Sequence, residues 1–277
     1  VQSEVSTGKA IRLRRIFNPK SNTALIVPMD HSVEEFVPEL ENPADLIASL
    51  VEVGPDAFLL RRGTAKKALE SFAGRASLIL RITCATGLRG KFTEQAYTSS
   101  VEEAIRMGAD AVVPNIFVGS VREVEDLHNL GTLADACDEW DMPLMVEVFP
   151  IGGTDAQPFD GPYAVEDLRT AVRVASEEGC DFVKTYYTGD PGSFGKVTSS
   201  SLVPVVIAGG PRAKTPEDTL RMVDGALKGG AKGVCLGRKV WGSPHPTVTL
   251  QVIGRILREH LSLERALTEL QTARAAG

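Results

Sequence analysis

The chain has 277 residues, 43% hydrophobic and 24% charged, the balance of an ordinary globular protein and too apolar for a disordered one. Its net charge of -6 argues against a nucleic-acid surface, and no apolar run approaches the ~18 residues a membrane helix needs. Cys84, Cys137, Cys180 and Cys235 are scattered without CxxC spacing, which argues against a metal site or disulfide framework and for a reducing cytoplasm.

In chain order, "VQSEVSTGKA" lacks the apolar core of a signal segment. The basic run "GKAIRLRRIFNPK" then reads as a solvated N-terminal extension over about residues 1–20. "ALIVPMD" (24–30) is the first strand and "PADLIASLVEVG" a helix opened by Pro43 and stopped by Gly54. Strands follow at "DAFLL" (56–60) and "SLILRIT" (77–83), then a helix in "SVEEAIRMGAD", capped by Ser100 and stopped by Gly108. "DAVVPNIF" (110–117) and "PLMVEVF" (143–149) are strands, and "AVEDLRTAVRVASEEGCD" is a helix. "DFVKTYY" (181–187) and "PVVIAGG" (204–210) are strands, "TPEDTLRMVDGALKGGAK" a helix, and "GVCLGR" (233–238) the last strand. One helix-to-strand junction recurs in "GADAVV", "GCDFVK" and "GAKGVC".

Strands apolar throughout suit a parallel sheet covered on both faces, and long helical crossovers connect parallel neighbours. Eight strands and intervening helices predict an α/β fold, a single (β/α)8 TIM barrel over residues 1–277. An open doubly wound sheet is the alternative, but no GxGxxG follows the first strand.

Barrel chemistry sits at the C-terminal strand ends. There the sequence places Asp30 and His31, "TCATG", Asn115, Glu147 before "FPIGG", Lys184 with Tyr186 and Tyr187, "AGGPR", and "GRKVWG". Gly209, Gly210 and Gly237 allow backbone N–H groups to approach phosphate oxygens, and Arg238 can hold them bidentately. Lys184 interrupts an apolar strand. Either its head reaches the mouth or pairs with Asp30 or Glu147 as a structural ion, or it is a Schiff-base nucleophile. A Schiff-base mechanism needs a nearby acid/base, and Asp30 and Glu147 are the best-placed carboxylates. Of the four histidines only His31 is at a strand end, so the residues suggest no metal.

The series "GKAIRLRRIF", "VPMDHS", "VEEAIRMGADAVVPNIFVGS", "DMPLMVEVFP", "DFVKTYYTGD", "VPVVIAGGP" and "GVCLGRKVW" resembles the archaeal-type class I fructose-bisphosphate aldolases from about residue 8 to residue 270. The same group contains the aminodideoxyheptulosonate synthases and the thiolase acting on phosphorylated autoinducer-2. The resemblance implies Lys184 as Schiff-base lysine, Asp30 as active-site carboxylate, and the glycine loops with Arg238 as the phosphate site. It implies no cofactor beyond the covalent imine on Lys184, and homo-oligomers, often decamers. His31 and Tyr186 complete the expected substrate-binding set.

Two departures matter. The family's acid/base tyrosine in a "YPRG"-like motif is here Phe149, and Glu147 stands two residues earlier on the same strand face. Glu147 therefore either takes over acid/base work, binds a cationic substrate group, or pairs structurally with Arg81 or Lys184. "DHS" replaces the usual "DHG", and the following loop differs. These changes point away from glycolysis. They suggest a dihydroxyacetone-phosphate-type donor joined to an aldehyde such as aspartate semialdehyde, in specialised or aromatic-precursor biosynthesis. A coenzyme A-dependent thiolase, a plain fructose-bisphosphate aldolase and a sugar-phosphate sensor without imine chemistry are the alternatives.

Overall fold

A computed structural model describes residues 5–33, 35–89, 92–151, 163–210 and 215–276. Its core is a ring of parallel strands. In chain order they are β1 (Ala24–Pro28), β2 (Ala57–Leu60), β3 (Ser77–Arg81), β4 (Ala111–Val113 and Asn115–Val118), β5 (Met145–Pro150), β6 (Phe182–Tyr186), β7 (Val205–Ala208) and β8 (Gly233–Cys235). Each pairs with its sequence neighbours, and β1 pairs with β8. Pro114 has no N–H to donate and divides β4. The first half pairs with β3 and the second with β5, so the ring closes through this broken strand. The fold is the expected TIM barrel.

Strand alternation sorts the side chains into layers. Leu25, Val27, Phe58, Leu60, Leu78 and Leu80 point outward into the packing against the helices. Ile26, Leu59, Ile79, Val113, Met145, Phe182, Val206 and Cys235 form a separate apolar cluster inside the ring. One inward position further along, Arg81, Asn115, Glu147 and Lys184 replace apolar residues, and all four are buried. Above them lie Phe117, Phe149, Ile151 and Ala208 with Tyr186.

The four helices read from the sequence form at Pro43–Val51, Val101–Arg106, Val165–Glu177 and Pro216–Lys228. The recurring junction has a backbone cause. Gly108, Gly179 and Gly230 hold φ of 72, 90 and 93°, the left-handed turn that ends a helix and is least strained for glycine. The aspartate that follows in "GCDFVK" carries a second function: Asp181 accepts the Leu144 N–H at 2.8 Å and joins β6 to the start of β5.

The N-terminal basic run is not simply solvated. Thr7–Ile16 is a helix across the N-terminal mouth of the barrel. Ile16 is fully buried, Leu13 and Phe17 pack on the inner cluster, and the Phe17 ring meets Phe182 edge-on at 5.3 Å. Its charges find partners on the rim. Lys9 pairs with Asp138 at 2.6 Å and Asp181 at 3.2 Å, and Arg15 with Asp110 at 2.8 Å. An open barrel end exposes apolar side chains, so an amphipathic plug with basic residues facing an acidic rim lowers the free energy. Among the described residues no helix is long and apolar enough to cross a membrane.

Candidate active site

The cavity at the C-terminal mouth is lined by all nine residues selected from the sequence: Asp30, His31, Glu147, Lys184, Tyr186, Gly209, Gly210, Gly237 and Arg238. Arg81, Asn115 and Cys235 also line it. Gly152, Gly153, Pro211 and Arg212, from the "FPIGG" and "AGGPR" stretches, lie outside the described residues.

At the floor, charged groups of alternating sign form one network. Lys184 Nζ is 2.6 Å from Glu147 Oε1, and both side chains are under a tenth exposed. The other Glu147 oxygen accepts from the Arg81 guanidinium. Arg81 also donates to Asp30 Oδ2 at 2.7 Å and to Asn115 Oδ1 at 2.5 Å. Asn115 is fixed from behind, since its N–H donates to Thr83 Oγ1 at 3.0 Å. The register Glu147↔Lys184 between β5 and β6 places the carboxylate beside the amine.

This network sets the ionisation of each member. Burial works to raise the Asp30 carboxyl, but Arg81, His31 and Lys184 hold it well below the usual carboxylate range. Burial likewise opposes ionisation of Glu147, and Lys184 and Arg81 outweigh it, so its pKa is lowered. Burial works to lower the Lys184 pKa, whereas Cys235, Glu147 and Asp30 carry it above the ordinary lysine value. Burial pushes the Cys235 thiol up to about 12, so it is neutral at neutral pH and the attraction rests on the two carboxylates. The site thus holds a buried ammonium–carboxylate pair. An amine in that state must pass its proton to a neighbour before it attacks a carbonyl, and Glu147 is in contact to receive it.

The upper part of the mouth has two unlike sides. On one, Gly237 is packed so tightly that a Cβ would lie 2.8 Å from His31 Cε1 and 2.9 Å from the Pro28 carbonyl oxygen. Trp241 reinforces this corner by donating its Nε1–H to the same carbonyl at 2.9 Å. Gly210 holds φ of 65°, with the Tyr186 ring beside it. Arg238 Nε is buried without a hydrogen-bond partner. Burial pushes the His31 imidazole down to about 4, against the pull of Asp30, so it is neutral at neutral pH. Small residues, open backbone and an unsatisfied guanidinium nitrogen make this side fit an oxyanion.

The other side, which shares Tyr186 with this corner, is aromatic. Phe149 stacks on Tyr186 at 4.7 Å, and Tyr186 on Tyr163 at 5.2 Å with planes 8° apart. Phe149 is buried in this stack, directly above Glu147 on the same strand face. Sequence reasoning treated Arg81 only as a partner for Glu147. It missed Trp241 and Tyr163. The alternation Ile79–Arg81 on an inward strand face was a usable signal for Arg81; no local pattern marks the other two.

A sequence model of the DeoC/LacD family of aldolases matches residues 24–243. The chain is 33% identical over 270 residues to 2-amino-4,5-dihydroxy-6-oxo-7-(phosphonooxy)heptanoate synthase of Streptomyces griseus, covering 97% of this chain and 96% of that one. It is 31% identical over 260 residues to 2-amino-3,7-dideoxy-D-threo-hept-6-ulosonate synthase 1 of Archaeoglobus fulgidus, covering 94% and 95%. A solved archaeal fructose-1,6-bisphosphate aldolase, with its catalytic lysine covalently bound to the carbinolamine intermediate of the substrate, matches with a TM-score of 0.81 and 30% identity. That match covers 90% of this chain and 99% of the other.

Proposed function

The chain belongs to the DeoC/LacD family of aldolases, and on that premise we propose that Lys184 forms the Schiff base of a class I reaction. The donor is a ketone of the dihydroxyacetone-phosphate type and the acceptor an amino-bearing aldehyde such as aspartate semialdehyde. The observation that carries this reading is the 2.6 Å Lys184–Glu147 contact at the floor of a mouth whose rim fits one phosphate.

The steps follow from these residues. Donor phosphate binds at Gly209, Gly210, Gly237 and Arg238, and its ketone carbon stands over Lys184. Glu147 takes the ammonium proton. The neutral amine attacks the carbonyl carbon, and the proton passes to the carbonyl oxygen, giving a carbinolamine. Loss of water leaves an iminium, so the ammonium and ketone have become an iminium and one water. The iminium draws electrons from the adjacent carbon, whose proton leaves to a carboxylate. The resulting enamine carbon bonds to the aldehyde carbon, and the aldehyde oxygen takes up a proton. Water then hydrolyses the iminium and restores Lys184. Asp30, kept ionised by Arg81, accepts hydrogen bonds from the donor hydroxyl.

The acceptor assignment draws on the product named for the Streptomyces griseus relative. Cutting that seven-carbon chain between carbons 4 and 5 gives a phosphorylated three-carbon ketone and a four-carbon amino aldehyde with a carboxylate. Phe149 supplies no hydroxyl for proton exchange, whereas Glu147 supplies a carboxylate on the same inward face.

The test is borohydride reduction in the presence of dihydroxyacetone phosphate, followed by peptide mass mapping. A three-carbon phosphorylated adduct on Lys184 is the expected result. An unmodified Lys184, or an adduct on another lysine, overturns the assignment.

A further inference from the structure

Among the described residues Arg81 is the one in contact with both carboxylates of the floor. It lies at the end of β3, is 3% exposed, and spends its donors on Asp30, Asn115 and Glu147. A guanidinium is permanently charged and strongly directional, so three acceptors, one just beyond β1 and two on β4 and β5, are fixed relative to one another by one side chain. Glu147 is shared: one oxygen faces Arg81 and the other faces Lys184. Two cations held on the two oxygens of one carboxylate are close enough (~4–6 Å) for each to oppose the charging of the other.

We propose that Arg81 is a positioning residue that sets the reactivity of Lys184, its fixed charge balancing Glu147 and Asp30 so that the amine can be freed. Without that charge, two buried carboxylates would face a single ammonium and hold its proton more tightly. The same guanidinium aims Glu147 along the line to Nζ. It also stops Asp30 from rotating toward Lys184, because Asp30 Oδ2 is committed to Arg81 Nε and Oδ1 lies 3.6 Å from His31 Nδ1. The charged or titratable groups around Lys184 are Glu147 from β5, Arg81 from β3, Asp30 and His31 beyond β1, and Cys235 from β8. Cys235 and His31 are neutral at neutral pH; the charge of Arg61 also acts on Asp30 and that of Arg238 on His31, but Arg81 is the arginine in direct contact with both carboxylates. A Coulomb interaction at such separations, at an effective dielectric constant of about 20, amounts to about 2–3 pH units on the amine.

The inference deepens the Schiff-base reading, yet its test needs no aldol activity. Formaldehyde and cyanoborohydride methylate only unprotonated amines, and mass mapping gives the pH at which Lys184 reacts half-maximally. Exposed Lys228 in the same sample is the control. Arg81→Gln moves the Lys184 midpoint at least one unit to the alkaline side, a tenfold or greater loss of reactive amine at fixed pH. Arg81→Lys keeps the charge and holds the midpoint within about half a unit of the parent. Its turnover still falls, because an ammonium cannot span the three acceptors. If Arg81→Gln does not fold, Arg81→Met in a Glu147→Gln background gives the same comparison with one fewer buried charge, read against Glu147→Gln alone. A midpoint that stays put or moves to the acid side on loss of the guanidinium overturns the proposal. Failure of the Schiff-base reading shows separately, as an unmodified Lys184 in the parent protein treated with dihydroxyacetone phosphate and borohydride.

Discussion

Glu147→Gln separates the two duties of that carboxylate. The amide keeps the side chain's size, so the perturbation is loss of one buried negative charge. Two cations, Arg81 and Lys184, then share only Asp30. Removing one partner of a buried pair costs about 3–5 kcal/mol when the other stays charged. Lys184 has an escape, because it can shed its proton. In the parent its pKa is raised, so its stabilising contribution is complete below the unfolded lysine value and is lost only above it. In the variant, burial and Arg81 act unopposed by Glu147 and push the amine below its unfolded value. Stability of the variant therefore rises as pH climbs through that depressed value toward the unfolded one, by up to about 1.4 kcal/mol per pH unit. Urea unfolding at pH 7, 8, 9 and 10 on parent and variant gives the difference directly. The expected gap is about 3–5 kcal/mol at pH 7, narrowing toward pH 10. A gap under about 1 kcal/mol that ignores pH refutes the buried-pair analysis. In the same variant, turnover is lost while the neutral amine remains available. Turnover that survives with an unchanged pH profile removes Glu147 from the proton path.

Two further outcomes follow from contacts elsewhere. Gly237→Ala drives a Cβ into the Pro28 carbonyl and His31, neither of which can retreat cheaply; the KM for a phosphorylated donor rises about 10-fold or more with a smaller change in kcat, and the Trp241 fluorescence shifts. Equal loss of KM effect for phosphorylated and unphosphorylated ketones would count against a phosphate corner. Lys9→Met costs about 1–3 kcal/mol by urea midpoint, because it strands Asp181, whereas Arg15→Met costs under about 1 kcal/mol, its side chain being 60% exposed. Negligible losses from both variants would show that the plug is held by its apolar face alone.

Much of the barrel was legible because burial on both faces of a parallel strand leaves a continuous apolar run, and each run is short and separated by a helix. Lys184 stood out for the same reason: an ammonium has no ordinary place in such a run. That Glu147 and Phe149 share a face was legible from their parity on β5, but that this face points into the barrel was not, since a one-residue shift in register would turn both outward. The partners of the first helix were not. Lys9 and Arg15 find their acceptors at Asp138, Asp181 and Asp110, far along the chain, and no local pattern encodes that meeting. The helix Glu123–Glu139 also escaped notice, because its apolar residues do not form a clean stripe and Gly131 interrupts it. Arg81 was visible as a residue but not as a hub, because its three acceptors come from the segment after β1 and from β4 and β5, far apart in the chain.

Phe149 and Glu147 make sense together rather than separately. A phenol at position 149 would sit in the upper layer, beside Tyr186, and would exchange protons from above the substrate. In this chain that layer is apolar and closed by stacking, Phe149 on Tyr186 and Tyr186 on Tyr163. The carboxylate lies one inward position lower, in contact with the amine itself. On the proposed mechanism the proton-exchanging group sits at the floor, whereas the family resemblance implies a phenol at the roof. A carboxylate at that depth is tolerable only with cations on both oxygens, and β3 and β6 supply them as Arg81 and Lys184. On that mechanism Phe149 at the roof, Glu147 at the floor and Arg81 beside it act as one arrangement. Phe149→Tyr without removal of Glu147 would add a third phenol beside Tyr186 and Tyr163 and would not by itself supply a roof-side proton path.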